Sequence, residues 1–117
     1  MDRIFQVTFH VPGALGANLS MKWYAPCDVQ LIHVSAVASN DSDATMTIGT
    51  STSAEAYLTA CVIGDSGTPV EKTRTDFVGS QYPHVTHDTI MAVALDYDGS
   101  SGTAAQNVTI VLTFTEG

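Results

Sequence analysis

His84 and His87 stand three residues apart in the stretch VGSQYPHVTHD, with Asp88 beside the second. Two imidazoles and a carboxylate are donor types that a transition metal accepts, yet a zinc site needs three or four such ligands on fixed elements. A loose pair in one loop is expected to be solvent-exposed, and no metal is assigned to it. The Gly-rich run DYDGSSGTAAQN, from Asp96, raises a second possibility. A phosphate cradle requires a Lys behind its last glycine and a helix after that. Here Thr103 follows Gly102, and an alternating segment follows the run. A calcium loop of EF-hand type requires Gly at its sixth position and Glu at its twelfth. Counted from Asp96, those positions hold Ser101 and Asn107. Asp98 and Gly99 are turn chemistry, so the run is read as the tip of a hairpin.

Ser66 lies in GDSG, which resembles the serine motif of trypsin-like proteases over four letters only. The chain is too short for such a protease, and Gly-Asp-Ser-Gly followed by Pro69 reads equally well as a turn. The acid pairs Asp41/Asp43 and Asp96/Asp98 also fall at expected turns, where Asx geometry accounts for them without acid–base chemistry. A metal-bearing cupin would show a His-x-His pair together with a Glu on strands, and no His-x-His pair is present. Trp23-Tyr24 could form a stacking platform for a sugar, with Tyr82 as a further candidate, although core packing explains Trp23 more simply. No catalytic constellation or cofactor cradle emerges, and the expectation is a protein that is not an enzyme.

The composition narrows the partners. Twelve acidic residues face four basic ones, for a net charge of −8 in 117 residues. Phosphate neutralisation needs clustered Lys and Arg, so nucleic acid is not expected as the main partner. Anionic membrane surfaces are disfavoured for the same reason. The N-terminus is not of secretory type, and no apolar run is long enough to span a bilayer. Cys27 and Cys61 form no CxxC, and two free thiols in a reducing compartment are expected.

The elements read mainly as strands. In RIFQVTFHV, Phe5, Val7, Phe9 and Val11 alternate with Gln6, Thr8 and His10, the pattern of a half-buried strand. MKWYAP is a short strand closed by Pro26. DVQLIHVSAVAS is the longest β-run, with Ile32, Val34 and Ala36 on one face. Asn40 to Asp43 reads as a turn, after which ATMTIGTS pairs back as a hairpin. Between Thr52 and Gly64 the pattern changes. Ala54, Tyr57, Leu58, Cys61 and Val62 have helical spacing, and Thr52 with Glu55 has capping-box spacing, so the sequence predicts one short helix. VEKTRTDF alternates polar residues on both faces and reads as an edge strand. TIMAVALDY and NVTIVLTFT complete the set. The pattern predicts an all-β fold over residues 1–117, a single antiparallel two-sheet jelly-roll sandwich with one short helix. Its expected core includes Phe5, Val7, Phe9, Ile32, Val34, Ile48, Val93, Leu95, Ile110, Leu112 and Phe114.

The runs YAPCDVQLIHVSAVASNDSDATMTIGTS, AYLTACVIGDSGTPVE, DFVG and LDYDGSSGTAAQNVTIVLTF resemble the small jelly-roll capsid decoration (cement) proteins of tailed bacteriophages. That resemblance implies a virion protein on the outer surface of an assembled head, assembled in the host cytoplasm. It further implies a homotrimer whose partner is the major capsid protein and which cements neighbouring subunits. Similar threonine-rich sandwiches occur in tail-fibre and receptor- or glycan-binding modules, the alternative reading. If the head reading applies, Lys72 and Arg74 on one face of VEKTRTDF are candidates for a subunit or capsid contact. Gatekeeper charges on a solvated edge strand are the other account of them.

Overall fold

A computed structural model describes residues 3–65, 67–97 and 104–116. The chain folds into nine strands: β1 (Ile4–Ala14), β2 (Leu19–Tyr24), β3 (Val29–Val37), β4 (Asp41–Thr50), β5 (Leu58–Asp65), β6 (Val70–Lys72), β7 (His84–Val85), β8 (Ile90–Asp96) and β9 (Gln106–Glu116). They form two antiparallel sheets. One has the order β1-β9-β3-β6 with β7 also on β3, and the other has the order β2-β8-β4-β5. The pairings are nested: β1 takes β9, β2 takes β8, β3 takes β6 and β7, and β4 takes β5. An antiparallel ribbon made from the two halves of the chain and wrapped over itself gives this jelly-roll order.

Between the sheets lies one apolar layer. Val34, Ile48, Val93, Leu95, Ile110, Leu112 and Phe114 are all buried there, as expected from their alternation. Phe5, Val7 and Phe9 pack against this layer but are only half-buried, because β1 is the last strand of its sheet. Ile32 departs from the expected core. Leu31 pairs with Phe114 and His33 with Thr113, so β3 spends two residues where β9 spends one. This bulge reverses the alternation, placing Val29 and Leu31 before it, and Val34 and Ala36 after it, in the core.

The expected helix is absent: Leu58–Asp65 is the strand β5. A second bulge explains the misleading period. Ile48 pairs with Leu58 and Met46 with Cys61, so two inward residues of β5 are three apart instead of two. A bulged strand thus reproduces the i, i+3 spacing of a helix face. Glu55, whose spacing from Thr52 suggested a helix cap, serves the bulge instead. Its Oε2 accepts a hydrogen bond from the Ala60 N–H at 3.1 Å, a donor that the shifted ladder leaves over.

Two expected hairpins are crossings between sheets. β3 and β4 belong to different sheets, as do β8 and β9. At the first crossing, the Asn40 side chain occupies the place of a partner strand. It donates to the Ala104 carbonyl and accepts from the Gln106 N–H, both at 2.9 Å. Asp98 to Thr103, read as the second hairpin's tip, and Ser66 of GDSG lie outside the described residues.

The segment VEKTRTDF is a strand only over Val70–Lys72. A 3₁₀ turn, Arg74–Asp76, follows, in which the Thr73 N–H donates to the Asp76 carboxylate at 3.0 Å. Phe77 then enters the core at 3% exposure, which a continued polar strand would not permit. Cys27 and Cys61 are both free thiols. Among the described residues, no helix is long and apolar enough to cross a membrane.

Candidate contact surfaces

Side chains with possible chemistry are dispersed by this fold. His87 Nε2 lies 3.0 Å from Asp88 Oδ1, with both side chains more than half exposed. The backbone N–H of His87 is held by Asp28 Oδ1 at 2.7 Å, which fixes the loop and not the ring. His84 sits on β7, outside that pair. Among the described residues, no three His, Cys, Asp or Glu side chains converge as metal ligands.

The aromatic platform is divided by strand alternation. Trp23 turns inward from β2 and stacks on Phe114 of β9, with centroids 4.6 Å apart and planes at 24°. Phe5 of β1 closes the group, 5.4 Å from Phe114 and 6.2 Å from Trp23. Tyr24, the next residue, is exposed and points the other way, beside Ile90 on β8. Tyr82 belongs to the connection before β7. The Trp23 indole therefore joins the two sheets.

Lys72 and Arg74 do not share a strand face. Lys72 pairs with Val34, whose side chain is in the core, so Lys72 points into the rim of the sandwich and is half-buried. Glu71 takes the outer side, where its carboxylate lies 3.9 Å from His33 Nε2. Arg74 opens the 3₁₀ turn and is exposed. Close to Lys72 lies Cys61, whose thiol is pushed up by burial, an effect that the lysine's charge and a contact with the Met46 carbonyl partly oppose.

The outer face of the β2-β8-β4-β5 sheet carries a groove of about 390 Å³. Its floor is made of small side chains, Ser20, Thr45, Thr47 and Ala94, and its rim includes Glu55 and Asp96. Histidines 10, 33 and 84 belong to the opposite sheet, and His87 to the β7–β8 connection. The groove hydroxyls thus have no imidazole to activate them, and the lining suits hydrogen-bonded contact with a polar surface.

These features define the class: a jelly-roll β-sandwich whose distinctive surfaces are strand edges and sheet faces. The fold is similar to that of a chain in the capsid asymmetric unit of cyanophage Pam1. The TM-score is 0.54 at 17% sequence identity, over 99% of this chain and 85% of that one. No protein-family model matches the chain, and no curated protein matches it.

Proposed function

We propose that this chain is a structural protein of a phage virion, acting without catalysis. In this reading it binds the outer surface of the assembled head as a homotrimer, and cements neighbouring subunits of the major capsid protein. The observation that carries the reading is the jelly-roll likeness to a chain of a cyanophage capsid, which extends over 99% of this chain and 85% of that one. The acidic charge supports a protein partner over nucleic acid or anionic lipid. The inward stacking of Trp23 removes the main support for the glycan-binding alternative.

Imaging of the virion with this protein labelled tests the reading directly. Density on the head exterior at positions of three-fold or quasi-three-fold symmetry is the expected result. Density confined to the tail would overturn it.

Attachment has to overcome repulsion among copies that each carry −8. Cations at a contact reduce that repulsion, and Lys72 and Arg74 are two of the four available. We assign them to a subunit or capsid contact, with Arg74 as the exposed partner for a carboxylate. Stripped particles incubated with Lys72→Glu/Arg74→Glu protein are expected to show lower occupancy than with wild type, most clearly at low salt. Equal occupancy across the salt range would remove both residues from the contact.

A further inference from the structure

The β1 edge differs from the other three sheet edges. It is eleven residues long, and among the described residues it pairs with β9 alone. From Ile4 to Ala14 it contains no Lys, Arg, Asp or Glu. The far edge of the same sheet is closed by three-residue β6, with Glu71 and Lys72, and by two-residue β7. In the second sheet, β2 has six residues and carries Lys22, while the β5 ladder is broken by two register shifts. Short, charged or bulged edges resist further pairing, whereas a long, regular, uncharged one invites it. The β1 ladder is regular from Ile4 to Val11.

The burial pattern points to the same edge. Phe5, Val7, Phe9 and Val11 face inward opposite Phe114, Leu112, Ile110 and Val108, all four of which are fully buried. The β1 row itself is only half-buried. A further strand with matching alternation would continue the apolar row and cover its open flank.

We propose that β1 pairs antiparallel with β1 of a second copy of this chain, across a two-fold axis at Val7. Charge selects this occupant: in a chain of −8, β1 is a strand along which two copies meet without opposing like charges. Its alternation is also self-complementary. With Val7 opposite Val7, Phe5 faces Phe9 of the other copy, Gln6 faces Thr8, and Ile4 faces His10. Phe5, Val7 and Phe9 then meet inward residues, while Val11 falls opposite Arg3, one residue before the strand begins. Moving the axis to Thr8 would bring Pro12 opposite Ile4 at both ends of the new ladder, where its missing N–H withholds a ladder bond. Such an isologous contact joins the two sheets into one continuous sheet. Where copies also assemble about a three-fold axis elsewhere on their surface, it links one trimer to the next. The pairing is a property of the strand and does not depend on the virion reading.

The test places a single thiol on the axis. In a Cys27→Ser/Cys61→Ser background, Val7→Cys protein is mildly oxidised beside Gln6→Cys and Thr8→Cys versions, and dimers are counted on a non-reducing gel. The expected result is a disulfide-linked dimer that forms several-fold faster at position 7 than at position 8, because only same-residue pairs on the axis come within bonding reach. Faster linkage at position 8 would overturn the Val7 axis, and no linkage at any position would overturn pairing between copies. A second variant, Gln6→Lys/Thr8→Lys, sets like charges opposite each other and is expected to weaken self-association by at least about tenfold while the protein stays folded. Self-association equal to wild type in that variant would also overturn the proposal. So would amide protection along β1 that appears only when another virion protein is added, since it would assign the edge to a donated foreign strand.

Discussion

Replacing Phe114 by alanine is expected to lower the unfolding free energy by about 3–5 kcal/mol, the range for a fully buried phenylalanine whose cavity cannot collapse. Phe114 has no exposed surface and holds three strands at once, through Trp23 of β2, Phe5 of β1 and the ladder to Leu31 of β3. Neighbouring rings cannot move in to fill the space without separating the sheets. Urea denaturation of wild type and variant gives the difference directly. Phe5→Ala, in the same aromatic group but half-buried, should cost clearly less. A Phe114→Ala loss below about 1.5 kcal/mol would show that the aromatic group does not hold the sheets together.

Gly49→Val comes next, by a different mechanism. Gly49 lies on β4, and the connection to β5 folds back over it. A Cβ at this position would collide with the Ser53 carbonyl oxygen and come within 2.6 Å of the Ala54 backbone. The connection has little freedom to retreat, since Thr50 N–H bonds Ser53 O at 2.8 Å and Tyr57 N–H bonds Ile48 O at 3.0 Å. Overpacking against fixed backbone of this kind costs about 1–3 kcal/mol. The expected result is a lower melting temperature together with faster proteolysis between residues 51 and 57. Gly16→Val, where an added Cβ meets nothing within 4 Å, is the control and should remain within about 0.5 kcal/mol of wild type. Equal stability of the two variants would mean that the connection does not rest on Gly49.

The strands that keep a strict period of two were readable from their residues alone. β1, β8 and β9 place Phe5, Val93 and Ile110 on the side that alternation assigns to them. Each failure traces to a residue that breaks the period or serves a distant strand. One extra residue in β3 exchanged Leu31 for Ile32 in the core, and one extra residue in β5 imitated a helix. A bulge is set by the ladder across from it, so a single strand's sequence carries little trace of it. Asn40 reads as a turn residue, but a hairpin and a crossing between sheets use the same residue types. Its true partners, Ala104 and Gln106, are more than sixty positions away. For the contact residues, the charges of Lys72 and Arg74 were legible, but their directions depended on where β6 stopped. The spacing of Thr73 and Asp76 was the available signal for that stop.

The nested order of the ladders also governs how the chain can fold. Only β4 and β5 meet across a short connection, whereas β1 must wait for β9, as the pairing of Ile4 with Thr115 shows. Each wider ladder closes a longer loop, and its entropic cost falls once the narrower ones have shortened that loop. Structure therefore grows from the middle of the chain toward its ends, and synthesis from the ribosome delivers the first strand long before its partner. Through that interval the uncharged β1 remains a single unpaired strand, and crowding among nascent copies exposes it to pairing out of turn.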